Sequence, residues 1–280
     1  MKKIITIVAI VLLVACLSIS MVACGSSDLK VGKTFVEADA QVKILTELKS
    51  NTADIGVMDS VMAGYYMKTE GASDLQLIEG CVLADENYGI AGRKGSGIIN
   101  AINKAMVELE LSGDITTVAT AYGLQNEIAV DTTKTYAVDA DNADYKAIMN
   151  NGKLIVGYTE FAPIAYKDTE GKLIGFDTDL AKKVAAKLGL DIEFIEIVWE
   201  TKEIELNTNK IDLIWNGLTI TDERSSSMEM SAPYMKNKQV AVIRKTDATK
   251  YTKDTATWKN ATMIAEAGSA GAACIEEEKD

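Results

Sequence analysis

The stretch "MIAEAGSAGAACIEEEKD", Met263–Asp280, decides how this chain folds. Met263 to Glu266 read as the end of a buried strand. Gly268-Ser269-Ala270-Gly271 read as a tight turn, and Ala272 to Glu278 as the opening of a helix. Strand, glycine-rich turn and helix begin a βα unit, and such a unit needs a neighbouring strand to complete its sheet.

Between these two ends, short apolar strands alternate with amphipathic helices, the pattern of an α/β fold. "LIVG" at Leu154–Gly157 and "LIGF" at Leu173–Phe176 read as strands, as do "IDLIW" at Ile211–Trp215 and "QVAVIR" at Gln239–Arg244. "DIEFIEI" from Asp191 alternates apolar and charged residues, as a half-buried strand does. In "DTDLAKKVAAKLG", Asp177 is placed to cap a helix, Leu180, Val184 and Leu188 share one face, and Gly189 ends it. Further forward, "ADIGVMD" from Ala53 and "YGIAG" from Tyr88 read as strands, and Gly97–Gly113 as a strongly periodic helix. Asp131–Asp144 is polar and aperiodic, a linker.

Residues 1–23 have a charged start (Lys2, Lys3) and a long apolar run free of acids, the form of a secretory signal. The run ends in "MVACGSS", which resembles a bacterial lipoprotein leader with Cys24 as the lipidated residue and residues 24–28 as a short anchor linker. Cys16 fits the pattern less well, because it sits inside the apolar run. An uncleaved anchor helix is the plainer alternative. Either way the body is expected on the outer face of the cytoplasmic membrane.

The body is long enough for two modest lobes or one large domain. The chain carries 29 basic and 41 acidic residues, a formal net charge of −12, which opposes nucleic-acid binding. It has no histidine, which removes His-based triads and His metal sites. No CxxC or acidic calcium loop is present, so neither a metal nor another cofactor is expected. Cys81 and Cys274 are the thiols of the body, and the sequence leaves their pairing open.

Several stretches resemble one family. "GYTEFAPIAYKDTEGKLIGFDTDLAKKVAAKLGL" (157–190), "IDLIWNGLTITDERSSSMEMSAPY" (211–234) and "MIAEAGSAG" (263–271) are similar to the first part of bacterial extracellular solute-binding proteins for polar amino acids. "ADIGVMDSVMAGYY" (53–66) and "ENYGIAGRKGSG" (86–97) are similar to the later part. The order is inverted relative to the family, so the chain reads as circularly permuted, with 131–144 bridging the family's usual ends and Thr34-Phe35-Val36 implied as the next strand after Met263–Asp280. The resemblance implies a type II periplasmic-binding fold, with two α/β lobes joined by two crossing segments. Those hinges fall near Asn87–Gly92 and Lys238–Arg244. One lobe then takes residues 87–242 and the other combines 29–86 with 243–280.

Such a site must hold a carboxylate, an ammonium and a side chain. Arg224 closes "GLTITDER", and its guanidinium matches a carboxylate with two parallel hydrogen bonds. A surface pair with Asp222 or Glu223 is the bland alternative. The resemblance gives Arg224 the carboxylate, with Gly217 and Thr219 beside it, and gives Asp59 the ammonium. Asp59 also stands where a helix cap would. Ser269 and Ala270 would offer amides to the carboxylate from a helix start. Phe161 and Trp199 would stack on the ligand, although core packing is the usual fate of such rings. Tyr158, Asn216, Gln41 and Glu266 are weaker candidates for reading the side chain. Glu266 there would favour a basic or amide ligand.

The resemblance thus implies a non-enzymatic, monomeric, lipid-anchored receptor that captures a polar amino acid and delivers it to an ABC permease. The same fold also carries enzymes that dehydrate cyclic prephenate-like acids. They need a placed general acid, for which Glu266 is the candidate. An amino-acid sensor module is a third reading.

Overall fold

The structure is a computed structural model and describes residues 30–68 and 72–276. The expected leader, Cys16 and the lipidated Cys24 lie outside the described residues. The architecture is the expected mixed α/β one. It begins with β1 (Thr34–Ala38), α1 (Gln41–Lys49), β2 (Ile55–Asp59) and α2 (Ser60–Met67). A 19-residue strand, β3 (Leu75–Arg93), leads to α3 (Ile98–Leu111) and α4 (Asp114–Ala121). After the polar segment come α5 (Ala143–Asn151), β4 (Lys153–Tyr158), the small hairpin β5 (Tyr166–Lys167) and β6 (Leu173–Ile174), α6 (Phe176–Leu188) and β7 (Asp191–Glu196). The chain ends through α7 (Lys202–Asn207), β8 (Leu213–Thr219), α8 (Asp222–Ser227), β9 (Met228–Met230), β10 (Met235–Arg244), β11 (Thr262–Glu266) and α9 (Ala270–Ile275).

Among the described residues one nine-stranded sheet runs through the molecule in the order β1-β11-β2-β10-β3-β8-β4-β7, with β9 on β3. The opening βα unit finds its partner where expected. β1 lies parallel to β11, with Thr34, Phe35 and Val36 opposite Thr262, Met263 and Ile264. β2 flanks β11 on its other side, also in parallel.

Two strands carry the chain between the halves of this sheet. The C-terminal part of β10, Gln239–Ile243, pairs with β2, while its first residues pair with β3 at Asp85–Tyr88. The far end of β3, Tyr88–Gly92, pairs with β8. The crossing therefore sits at residues 84–88 and 235–239.

Alternation along the strands sorts the core. Val240 and Val242 face one apolar cluster and Ala241 and Ile243 a second; Leu213 and Trp215 face the first, and Ile214 a third. One face is covered by a continuous cluster that spans both halves, including Met58, Ile90, Val156, Phe176 and Trp215. The opposite face carries two separate clusters. One surrounds Val57, Met263 and Trp258 under α9, and the other surrounds Trp199, Leu206 and Leu218 beside α7. Each fully buried aliphatic side chain contributes about 1.5–3 kcal/mol. The gap between the two clusters is where the site lies.

α6 follows its sequence pattern, with Leu180 and Val184 fully buried and Gly189 closing it at φ 74°. Asp177, however, does not cap it. The helix begins at Phe176 with Gly175 at the cap position, so Asp177 lies in the first turn and points inward. Cys81 and Cys274 are both free thiols, Cys81 buried and Cys274 half-buried against the same cluster.

Candidate functional site

A cavity of about 760 Å³ lies between the two halves. It is lined from β3 by Glu86, from β8 by Thr219, from α7 by Lys202, from α8 by Arg224, and from the β11–α9 turn by Ser269 and Ala270. A second cavity of only about 10 Å³ is lined by Gln41, Phe161, Trp199, Asn216 and Glu266. The expected site residues are thus divided between two spaces. Asp59, Tyr158 and Gly217 line neither.

Arg224 is buried at 8% exposure, which overturns the bland surface-pair alternative. The sequence places it through a short cap, in which the Thr221 hydroxyl accepts from the Arg224 backbone N–H at 3.1 Å and starts α8. The guanidinium donates to the carbonyls of Thr219 at 2.8 Å and Gly268 at 3.3 Å. No ion pair to it forms among the described residues. Burial lowers its pKa, while Glu86, Glu203 and Asp59 nearby work the other way. A buried guanidinium held by two neutral carbonyls is electrostatically incomplete, and an anion in the cavity completes it.

Asp59 stands at the cap position of α2 but makes no side-chain capping bond, so that alternative fails too. Its place on the inner face continues the alternation Ile55, Val57. The carboxylate accepts from the Tyr88 hydroxyl at 2.6 Å, from Gln239 Nε2 at 3.1 Å, and from the side-chain amides of Gln41 and Asn237. The same two amides of Asn237 and Gln239 also serve Glu86, at 2.8 and 3.0 Å. Two carboxylates therefore share donors at the crossing of β3 and β10. Burial raises the pKa of both; that of Glu86 is pushed to about 7, with Asp59 as the second cause.

The remaining candidates fall as follows. Phe161 and Trp199 follow β4 and β7 and are buried at the small cavity. Asn216 binds Thr159 through its side-chain amide, whose oxygen accepts from the hydroxyl at 2.7 Å. Glu266 lies in the same space, and burial followed by the Asp59 charge pushes its pKa to about 8. Tyr158 is tied to Glu196 at 3.4 Å. Ser269 spends its side chain on capping α9, accepting from Ala272 N–H, and its own N–H donates to the Glu266 carbonyl. Its amide is thus engaged inside the turn, whereas Ala270 lines the large cavity.

Gly217 has a structural role at the site's floor. Its φ is 61°, and its N–H donates to Asp177 Oδ2 at 2.8 Å. Asp177 also accepts from the Tyr234 hydroxyl at 2.7 Å, and burial pushes its pKa to about 7. A Cβ on Gly217 would meet the Phe161 ring at 2.7 Å and the Tyr88 ring at 3.1 Å. Gly217→Ala is therefore expected to destabilise the protein by about 1–3 kcal/mol through strain and overpacking. It should also weaken whatever stacks on Phe161. A melting temperature and ligand affinity equal to wild type would overturn this.

Sequence reasoning did not single out Lys202, Glu86, Tyr88, Asn237, Gln239 or Asp177 as site residues. For Asn237 and Gln239 a signal exists: in "MKNKQVAVIR" they occupy the inward positions that Ala241 and Ile243 continue. Polar groups at inward strand positions mark a buried network.

Comparison with known proteins adds the following. A sequence model described as "Bacterial extracellular solute-binding proteins, family 3" matches residues 154–267. A probable histidine-binding protein of Neisseria gonorrhoeae is 37% identical over 98 residues, covering 34% of this chain and 37% of that protein. The arginine-binding extracellular protein ArtP of Bacillus subtilis is 31% identical over 128 residues, 45% of this chain and 47% of that protein. The crystal structure of an ancestral amino acid-binding protein, a precursor of cyclohexadienyl dehydratase, is 40% identical over 29% of this chain and 36% of that one, with a TM-score of 0.28. The chain spans less than half the length of these relatives. Residues 154–267, the span that this family model matches, hold Arg224, Phe161, Trp199 and Glu266.

Proposed function

We propose that this chain captures a polar amino acid between its two halves and delivers it to an ABC importer, held at the membrane by lipid on Cys24. The observation that carries the reading is Arg224: a buried guanidinium at the 760 Å³ cavity with carbonyl partners and no ion pair among the described residues. The names of the similar proteins, which bind histidine or arginine, support it. Glu86, which lines the cavity at the strand crossing and shares its amide donors with Asp59, is the acceptor available to a zwitterion's ammonium. Closure of the halves about β3 and β10 would expel water and strengthen both contacts. The parallel pairing of β1 with β11, across most of the sequence, supports the view that the order of segments is a circular permutation of the family's.

The test is a thermal-shift screen of the purified protein against the standard L-amino acids, with mass spectrometry of any ligand retained on purification. At least one polar amino acid should raise the melting temperature, since a ligand at 100 times its Kd adds about 2.7 kcal/mol. No shift with any of them would overturn the reading. An enzymatic reading has one observation in its favour. Glu266 holds a proton near neutral pH beside Phe161 and Trp199, as a general acid would. Turnover of a cyclohexadienyl acid, abolished by Glu266→Gln, would carry that reading instead.

A further inference from the structure

Lys202 opens α7 and is only 5% exposed. Lysine is seldom buried to that degree without a carboxylate partner, and no ion pair to it forms among the described residues. Its ammonium lies over the Trp199 ring, 4.8 Å from the centroid, and donates to the Trp199 carbonyl and the Gly268 carbonyl, each at 3.2 Å. Gly268 is the residue whose carbonyl Arg224 also reaches, at 3.3 Å. Two buried cations thus converge on one backbone oxygen, and both line the 760 Å³ cavity. Burial lowers the Lys202 pKa to about 8, with Arg224 the next cause. The charged groups around it are Arg224 and Glu223 on α8, Glu203 on α7 and Glu266 on β11. Two like charges fixed to one neutral oxygen repel, and an anion placed between them removes that cost. An ammonium that gives two N–H groups to carbonyls has a third to give.

We propose that Lys202 is a second carboxylate-binding residue, which with Arg224 forms a two-cation clamp for the ligand's carboxylate at the rim of Gly268. The inference rests on the amino-acid reading above. The competing role is a strap, in which Lys202 merely ties α7 to the β11–α9 turn through Gly268.

Lys202→Met keeps the length of the stem and removes the charge. It is tested by calorimetry with each standard L-amino acid that binds wild type, and with the corresponding amino-acid amide, which lacks the carboxylate. The clamp requires Lys202→Met to lose about 10- to 100-fold in affinity for the acids, as expected for a hydrogen bond to a charged group. The amides should change by less than about twofold, and Lys202→Arg should restore most of the loss. Equal losses for acids and amides would assign Lys202 to the strap and overturn the clamp. So would wild-type affinity for the acids. Melting of each variant without ligand controls for folding. If wild type itself binds no amino acid, the functional reading falls and takes the clamp with it. If wild type binds and Lys202→Met binds equally well, the clamp alone falls.

Discussion

Arg224→Ala should cost this protein its amino-acid affinity and leave its fold standing. The guanidinium is buried, its bonds go to two carbonyls, and no ion pair completes it among the described residues. A bound carboxylate turns this arrangement into a buried ion pair with forked hydrogen bonds. Removing one partner of such a pair costs about 3–5 kcal/mol, or roughly two to four orders of magnitude in Kd. The unliganded protein should respond differently. There the charge is uncompensated, so its removal relieves a desolvation cost while releasing only the carbonyls of Thr219 and Gly268 to cavity water. The melting temperature without ligand should therefore hold or rise. Arg224→Lys should recover little, because a point charge cannot supply the fork. Titration calorimetry with the amino acid found in the screen reads the affinity, and thermal denaturation reads the fold. An Arg224→Ala protein binding within threefold of wild type would remove the guanidinium from the site.

Much of this arrangement is legible in the sequence because it follows local rules. β7 and α6 declare themselves by period, β2 and β4 as short apolar runs, and Gly189 by the left-handed turn that ends α6. The pairing of β1 with β11 is legible by a different argument: a βα unit cannot stand alone, and the resemblance implies Thr34–Val36 as its missing neighbour. β3 is the counter-example. Its 19 residues include Gly80 and the run Ala84-Asp85-Glu86-Asn87, whereas the sequence reads as strand only at Tyr88–Gly92. The strand persists because β10 pairs along its first part and β8 along its last. Tertiary pairing overrides propensity there. The same limit applies to the site. Lys202 begins a charged helix, "KEIELN", that gives no sign of burial; only the turn at Gly268, 66 residues away, puts its ammonium inside. Asp177 reads as a cap until Gly217 and Tyr234 supply its real partners from β8 and the segment before β10.

The buried carboxylates lead to the second large effect: the unliganded protein should be most stable near pH 5 and lose stability steadily towards pH 8. Burial pushes Glu86 and Asp177 up to about 7 and Glu266 to about 8, and raises Asp59 as well. In the unfolded chain these groups titrate in the ordinary carboxylate range. Between that range and the raised values the folded state holds protons that the unfolded state releases, so raising the pH favours unfolding. Lys202 does not offset this. Its pKa is lowered to about 8, and the cost of charging it is the same at every pH below that. Surface acids such as Asp39, Asp114 and Asp131, held low by hydrogen bonds to their neighbours, set the other limb: their support is lost only as the pH falls through the carboxylate range. Each pKa unit corresponds to about 1.4 kcal/mol, so a single group titrated over two units costs about 3 kcal/mol. In a protein of this size that is a fall of roughly 6–12 °C in melting temperature. Thermal melts at pH 5 and pH 8 test the sign. Glu266→Gln, which imitates the protonated acid, should flatten the slope, because glutamine keeps the hydrogen-bonding shape and has no proton to lose. A melting temperature equal or higher at pH 8 would mean that the carboxylates around Asp59 are stably ionised in the fold. The shared amides of Asn237 and Gln239, and not protons, would then be what lets two of them sit side by side.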